Sequence, residues 1–169
     1  MRNGRVSGLV ALTVTLILGI FPIMLIAQAS SRERVSKERE VFKAVLLYAA
    51  KQSRGGKAKD VLYFVSIDDG DPSDSFLDEL QKSGLNARKQ SELRIEDALD
   101  GVPRDANTHM RAITLSVGNL RWRNEVEVDV SGGYWRGGRR SDGGDYETSL
   151  YLGQWKVTKF RRIILNSIL

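Results

Sequence analysis

The sequence predicts an α+β domain behind an N-terminal transmembrane or signal helix, with helices packed on a curved antiparallel sheet. Three observations lead there. Val6 to Ser31 holds no charged residue, although 28% of the 169 residues are charged. Val41, Phe42, Val45, Leu46 and Ala49 recur at helical spacing, and from Met110 onward the apolar period becomes two. The expected organisation is a signal anchor or signal peptide at 1–29, a stalk and core helix at 30–54, and the remainder of the α+β domain at 55–169.

The leader begins with Arg2 and Arg5 and continues as an apolar run from Leu9 to Ala27. About 20 helical residues cross a hydrocarbon core of about 30 Å, so residues 6–27 are long enough to stay in a membrane as an anchor. Ala27-Gln28-Ala29 is a small-x-small cleavage pattern, and a secreted domain cut after Ala29 is the alternative. Sidedness draws on opposed signals. Arg32, Arg34, Lys37, Arg39 and Lys43 come after the span, which by the positive-inside count favours a cytoplasmic domain. A short basic segment before an apolar run normally exports the chain behind it, and an extracytoplasmic domain is the expectation adopted.

Ser30-Ser31-Arg32-Glu33 fits a capping box at a helix start. Glu33 stands four residues before Lys37 for an ion pair, and Ser53-Arg54-Gly55-Gly56 supplies a left-handed stop. Val61 to Val65 reads as a buried strand. Asp71-Pro72 then suggests an N-cap carboxylate ahead of a first-turn proline, for a short helix burying Phe76, Leu77 and Leu80 and ending by Gly84. A short strand is expected near Asn86 to Gln90, with a long loop after it. Ile113, Leu115 and Val117 share one strand face. Val126, Val128 and Val130 share another, with Glu125, Glu127 and Asp129 opposite. A third strand runs from Tyr146 to Leu152 and its partner from Trp155 to Leu165, joined through Gly153-Gln154 as a type II′ turn.

Composition excludes several functions. The net charge is +5, of which Arg2 and Arg5 supply two, too mild a balance to imply specific nucleic-acid binding. There is no cysteine, hence no disulfide framework, zinc–thiolate site or thiol nucleophile. No cofactor signature occurs, and none is expected.

The helix from Val41 to Ala49, Gly144-Asp145-Tyr146 and the closing Gly153-Gln154-Trp155-Lys156-Val157 together resemble the nuclear transport factor 2-like, or cystatin-like, superfamily. The resemblance covers residues 31 to 165. It implies a helix cradled by a sheet whose concavity can become a pocket. That superfamily contains enzymes, ligand binders and membrane-tethered assembly subunits, so the resemblance implies no single activity.

Each candidate site has a simpler role to compete with. His109, the only histidine, lacks an orienting carboxylate in any recognised motif and reads as a loop residue. Asp68-Asp69-Gly70-Asp71-Pro72-Ser73-Asp74 lacks the ligand spacing of a calcium loop and reads as a solvated turn. Neither a metal nor a catalytic set is expected. Tyr134, Trp135, Arg136, Arg139 and Arg140 lie in a glycine-rich segment and form the candidate binding loop, suited to stacking and to phosphate or anionic lipid. Tyr63, Trp122, Tyr146 and Trp155 are either core aromatics or the lining of an apolar pocket. Glu125, Glu127 and Asp129 fall outside such a pocket, which argues against acid–base catalysis. The expectation is a non-enzymatic, membrane-tethered domain that binds a protein or envelope component through its sheet or basic loop. The alternative is a small-ligand binder or acid–base enzyme using the interior.

Overall fold

The computed structural model describes residues 31–53, 61–93, 103–105, 108–137 and 141–163. The expected membrane segment, the capping serine Ser30 and the helix stop at residues 54–56 lie outside them. Among the described residues no helix is long and apolar enough to cross a membrane. The chain divides into two compact units, Met1–Glu38 and Arg39–Leu169.

Helix α1 covers residues 31–53. Its charged first turns belong to the first unit and carry the expected pair, Lys37 to Glu33 at 2.9 Å. From Val41 on, the spacing read from the sequence becomes a buried stripe: Val41, Val45, Leu46 and Ala49 are fully enclosed.

Six strands form one sheet in the order β2-β1-β3-β4-β5-β6. They are β1 Val61–Ile67, β2 Ala87–Lys89, β3 Arg111–Asn124, β4 Glu127–Trp135, β5 Ser141–Tyr151 and β6 Gln154–Arg162. The antiparallel expectation holds for β3 to β6 only, because β1 pairs in parallel with both β2 and β3. The sheet is therefore mixed. Helix α2, Asp74–Lys82, lies between β1 and β2 in the chain and provides the crossover that a parallel pair requires. Interior position also explains the composition of β1. Tyr63 and Val65 enter the helix-side core while Leu62 and Phe64 pack with Ala112 on the other side, so the run is apolar throughout.

Both helices bury against one face of the sheet. Val41, Val45 and Leu46 of α1 and Phe76, Leu77 and Leu80 of α2 join Tyr63, Leu115, Val117, Val128, Val130 and Tyr146 in one core. Tyr146 stacks on Phe160 at 4.7 Å and meets the edge of Tyr48 at 5.9 Å. Burial, then the negative charge of Asp142, pushes its phenol well above the usual tyrosine range.

Three local expectations change. The cap of α2 is Ser73, whose Oγ accepts from Phe76 N at 3.3 Å, two residues later than expected, because Asp71 instead accepts from the backbone and hydroxyl of Ser91. Val126 stands in the β3–β4 turn and is exposed, so of the three valines Val128 and Val130 alone lie on that strand's buried face. The last hairpin turns on Leu152 and Gly153, with φ of 49° and 75°; two positive values make it type I′, one residue earlier than the glycine-first turn expected.

Candidate functional site on the open face of the sheet

Alternation along β3 to β6 places small and charged side chains opposite the helix-covered core. Leu115 and Val117 point to the core, so Ser116 and Gly118 face outward; by the same count Asp129, Ser131, Gly133 and Trp135 do so on β4. Register aligns these positions into rows. One row runs Gly118, Ser131, Asp145 and Arg161, with Ser131 Oγ donating to Asp145 Oδ1 at 2.8 Å. The next runs Arg121, Asp129, Glu147 and Lys159.

Two carboxylates and three cations form a lattice on this face. Arg123 Nε lies 2.8 Å from Asp129 Oδ2, and Glu147 Oε1 has Arg161 Nε at 3.5 Å and Lys159 Nζ at 3.6 Å. Hydrogen bonding to Asp129 holds the Arg123 guanidinium above its usual range. Side chains tied to one another in this way present a patterned polar surface at little entropic cost on contact.

Beside the lattice is an open cleft of about 350 Å³, lined by Asp68, Asp69, Ser116, Gly118, Asn119 and Ser131 among others. Its wall is built from backbone in the left-handed region. Asp68, Asp69 and Asn119 have φ of 48°, 62° and 50°, a conformation in which Asp and Asn are the tolerated non-glycine residues. Asp68 Oδ1 accepts from Asn119 N at 3.0 Å and ties the turn after β1 to β3. A Cβ at Gly118 would stand 2.7 Å from that same oxygen and 3.3 Å from Asp68 Cα, so a side chain there would displace the Asp68 carboxylate from this bond. The cleft is thus a preformed concavity with carboxylate, hydroxyl and amide groups at its rim. Among the described residues no Lys or Arg lines it.

The binding loop expected from the sequence is divided by the structure. Tyr134 and Trp135 end β4 on opposite faces, and Tyr134 packs against the core. Arg136 turns back onto the end of α1, with Nη1 donating to Ser53 O at 3.1 Å and its guanidinium 5.5 Å from the Tyr134 ring. The Ser53 carbonyl thus holds this arginine inward, against α1. Arg139 and Arg140 lie outside the described residues.

The expected pocket aromatics do not line the cleft. Tyr63 and Tyr146 are 1% and 2% exposed within the core, and Trp122 meets Trp155 edge-on at 5.6 Å. His109 is exposed on a turn, its N donating to Asp105 O at 2.9 Å. Three of the four aspartates of 68–74 are each used singly. Asp68 binds Asn119, Asp71 binds Ser91, and Asp74 pairs with Lys89 at 2.6 Å. Among the described residues no three His, Asp or Glu side chains converge as metal ligands.

Sequence reasoning missed Ser116, Gly118, Asn119 and Ser131. Gly118, standing directly after the alternating Ile113-Leu115-Val117 face, was the available signal, since a glycine inside a strand pattern marks a bulge or a close approach. Indeed the β3–β4 register shifts between Gly118 and Arg121. Comparison with protein-family models, curated proteins and solved structures finds no match for this chain.

Proposed function

We propose that this chain is a membrane-tethered, non-catalytic binding domain, anchored through residues 6–27 with the domain outside the cytoplasm, and that the open face of β3 to β6 receives a protein or envelope component. The observation that carries the reading is the cleft with its flanking charge lattice. It is a concave, patterned polar surface on the one face of these strands that neither helix covers. The uncharged run from Val6 to Ser31 supports the tether. The antiparallel order of β3 to β6 with α1 across it supports a nuclear transport factor 2-like relationship, while the parallel pairing of β1 and β2 is a departure from the order expected.

The experiment is site-specific photo-crosslinking in intact membranes, with the photoreactive residue at Ser116. A discrete adduct that disappears in a folded Ser131→Arg variant is the expected result. Labelling at Ser116 no stronger than at the helix-side exposed residue Asp78 would overturn the reading. Asp69, exposed at the rim, favours a second reading in which the cleft holds a small cationic ligand. In that case Asp69→Asn weakens a saturable ligand response, and the Ser116 adduct is absent.

A further inference from the structure

Two charged side chains of the open face stand outside its lattice. Asp69 is exposed at the cleft rim, and Arg121 on β3 is in register with Asp129, whose carboxylate is taken by Arg123 instead. Among the described residues neither side chain has an ion pair or a hydrogen bond. Opposite charge lies across the face from each. Asp68 N donates to Val117 O at 2.9 Å, which sets Asp68 and Asp69 at the level of Gly118. Register carries that level through Ser131 and Asp145 to Arg161. At the next level Arg121 is followed by Asp129, Glu147 and Lys159.

Strand order makes this pattern complementary to itself. In the run β1-β3-β4-β5-β6, β4 is central, with β3 and β5 one place away on either side and β1 and β6 two places away. A two-fold axis along the open face of β4 lays a second copy face to face, each level against its own equivalent. Asp68 and Asp69 of one copy then meet Arg161 and Lys159 of the other, and Arg121 meets Glu147. Symmetry makes each contact twice. Ser131 falls on the axis with Gly118 and Gly133 beside it, small enough for two sheets to pack at about 10 Å. Asp129 approaches its own equivalent, each already neutralised by Arg123 at 2.8 Å. Other two-fold placements fail on charge. An axis between β4 and β5 sets Arg121 against Lys159 and Asp129 against Glu147. An axis across the strands, between the two levels, sets Asp145 against Glu147 and Arg161 against Lys159. Like charges face to face are costly, so the pattern selects the β4 axis.

We propose that the partner received by the open face is a second copy of this chain, docked about β4 in that register. The inference rests on the reading of the open face as a contact surface and names its occupant. Charge pairs of this kind supply register and selectivity more than affinity. Holding both chains in one membrane raises their effective concentration, which compensates for a polar interface. The dimer therefore weakens as salt is raised.

The chain has no cysteine, so Ser131→Cys places a single thiol on the axis. The full chain is treated in intact membranes with a short bismaleimide. A covalent homodimer is expected from Ser131→Cys and none from Asp78→Cys, on the exposed side of α2. Raising salt to about 1 M, where charges are screened within about 3 Å, should lower the yield. In the Ser131→Cys chain, Asp69→Lys and Arg121→Glu should each remove the dimer, and both alter side chains outside the lattice. Arg161→Glu should remove it too. Mixing that chain with the Asp69→Lys chain should restore it, because every contact between these two positions again joins opposite charges. A homodimer unaffected by Asp69→Lys and Arg121→Glu overturns the arrangement, as does a mixture of folded chains that stays monomeric. No homodimer from a Ser131→Cys chain of unchanged melting temperature overturns the second copy. A Ser116 adduct to another component then leaves the open face standing as a contact surface, and absence of both products overturns the two readings together.

Discussion

The two faces of β3 to β6 share one backbone and one set of ladder hydrogen bonds, yet they do opposite work. On the helix side Leu115, Val117, Val128, Val130 and Tyr146 are closed over by Val41, Val45 and Leu46. On the other, Ser116, Gly118, Asp129, Ser131, Asp145 and Glu147 stand next to one another in register with cations between them. Apolar burial on one face is the main source of fold stability, which leaves residues on the other free to be chosen for contact. A mutation should therefore cost stability on one face and recognition on the other.

Leu46→Ala is the largest expected break of that contrast, costing about 3 kcal/mol from lost transfer energy and a residual cavity, measured as a lower denaturation midpoint. A loss under about 1 kcal/mol would mean that α1 is not the lid of the core. Next in size is an alkaline effect at Tyr146. Its phenol is held above its unfolded value by burial, so its contribution is fully present below the ordinary tyrosine range and is lost as pH rises through the raised value. Tyr146→Phe should flatten the fall of melting temperature above about pH 10; an unchanged slope would assign that fall to other groups. The smallest effect belongs to the open face. Glu147→Gln should cost no more than about 1 kcal/mol, less in high salt, because its partners Arg161 and Lys159 are themselves largely exposed. A larger loss would make the lattice structural rather than available for binding.

The β6 edge of the sheet does not invite another strand. The β5–β6 register shifts between Glu147 and Thr148, leaving Thr158 of β6 as an extra residue, and Lys156, Lys159, Arg161 and Arg162 line that strand. Bulges and cations are the usual protection against edge-to-edge pairing. Under the proposed function this favours the open face over β6 as the contact surface.

Much of the local structure was legible. Period 3.6 located the buried stripe of α1, and period two located Leu115, Val117, Val128 and Val130, because each needs only the residue types a few places apart. The candidate loop was not legible in the same way. Arg136 looks free in sequence, and its actual partner is the Ser53 carbonyl, 83 residues away. Asp71 likewise suggests an N-cap, but its carboxylate is taken by Ser91, 20 residues on.

Taken alone, the residues of this chain determined its uncharged N-terminal run, its helical and strand periods and which side of each element is apolar, since these come from short-range stereochemistry and from solvent avoidance along the chain. Only the tertiary structure decided that β1 lies between β2 and β3, that Asp68 meets Asn119 to wall a cleft, and that Leu150 of one hairpin bonds Val126 of another. Those are pairings between distant segments, selected by the packing of the whole core, and no local pattern encodes them.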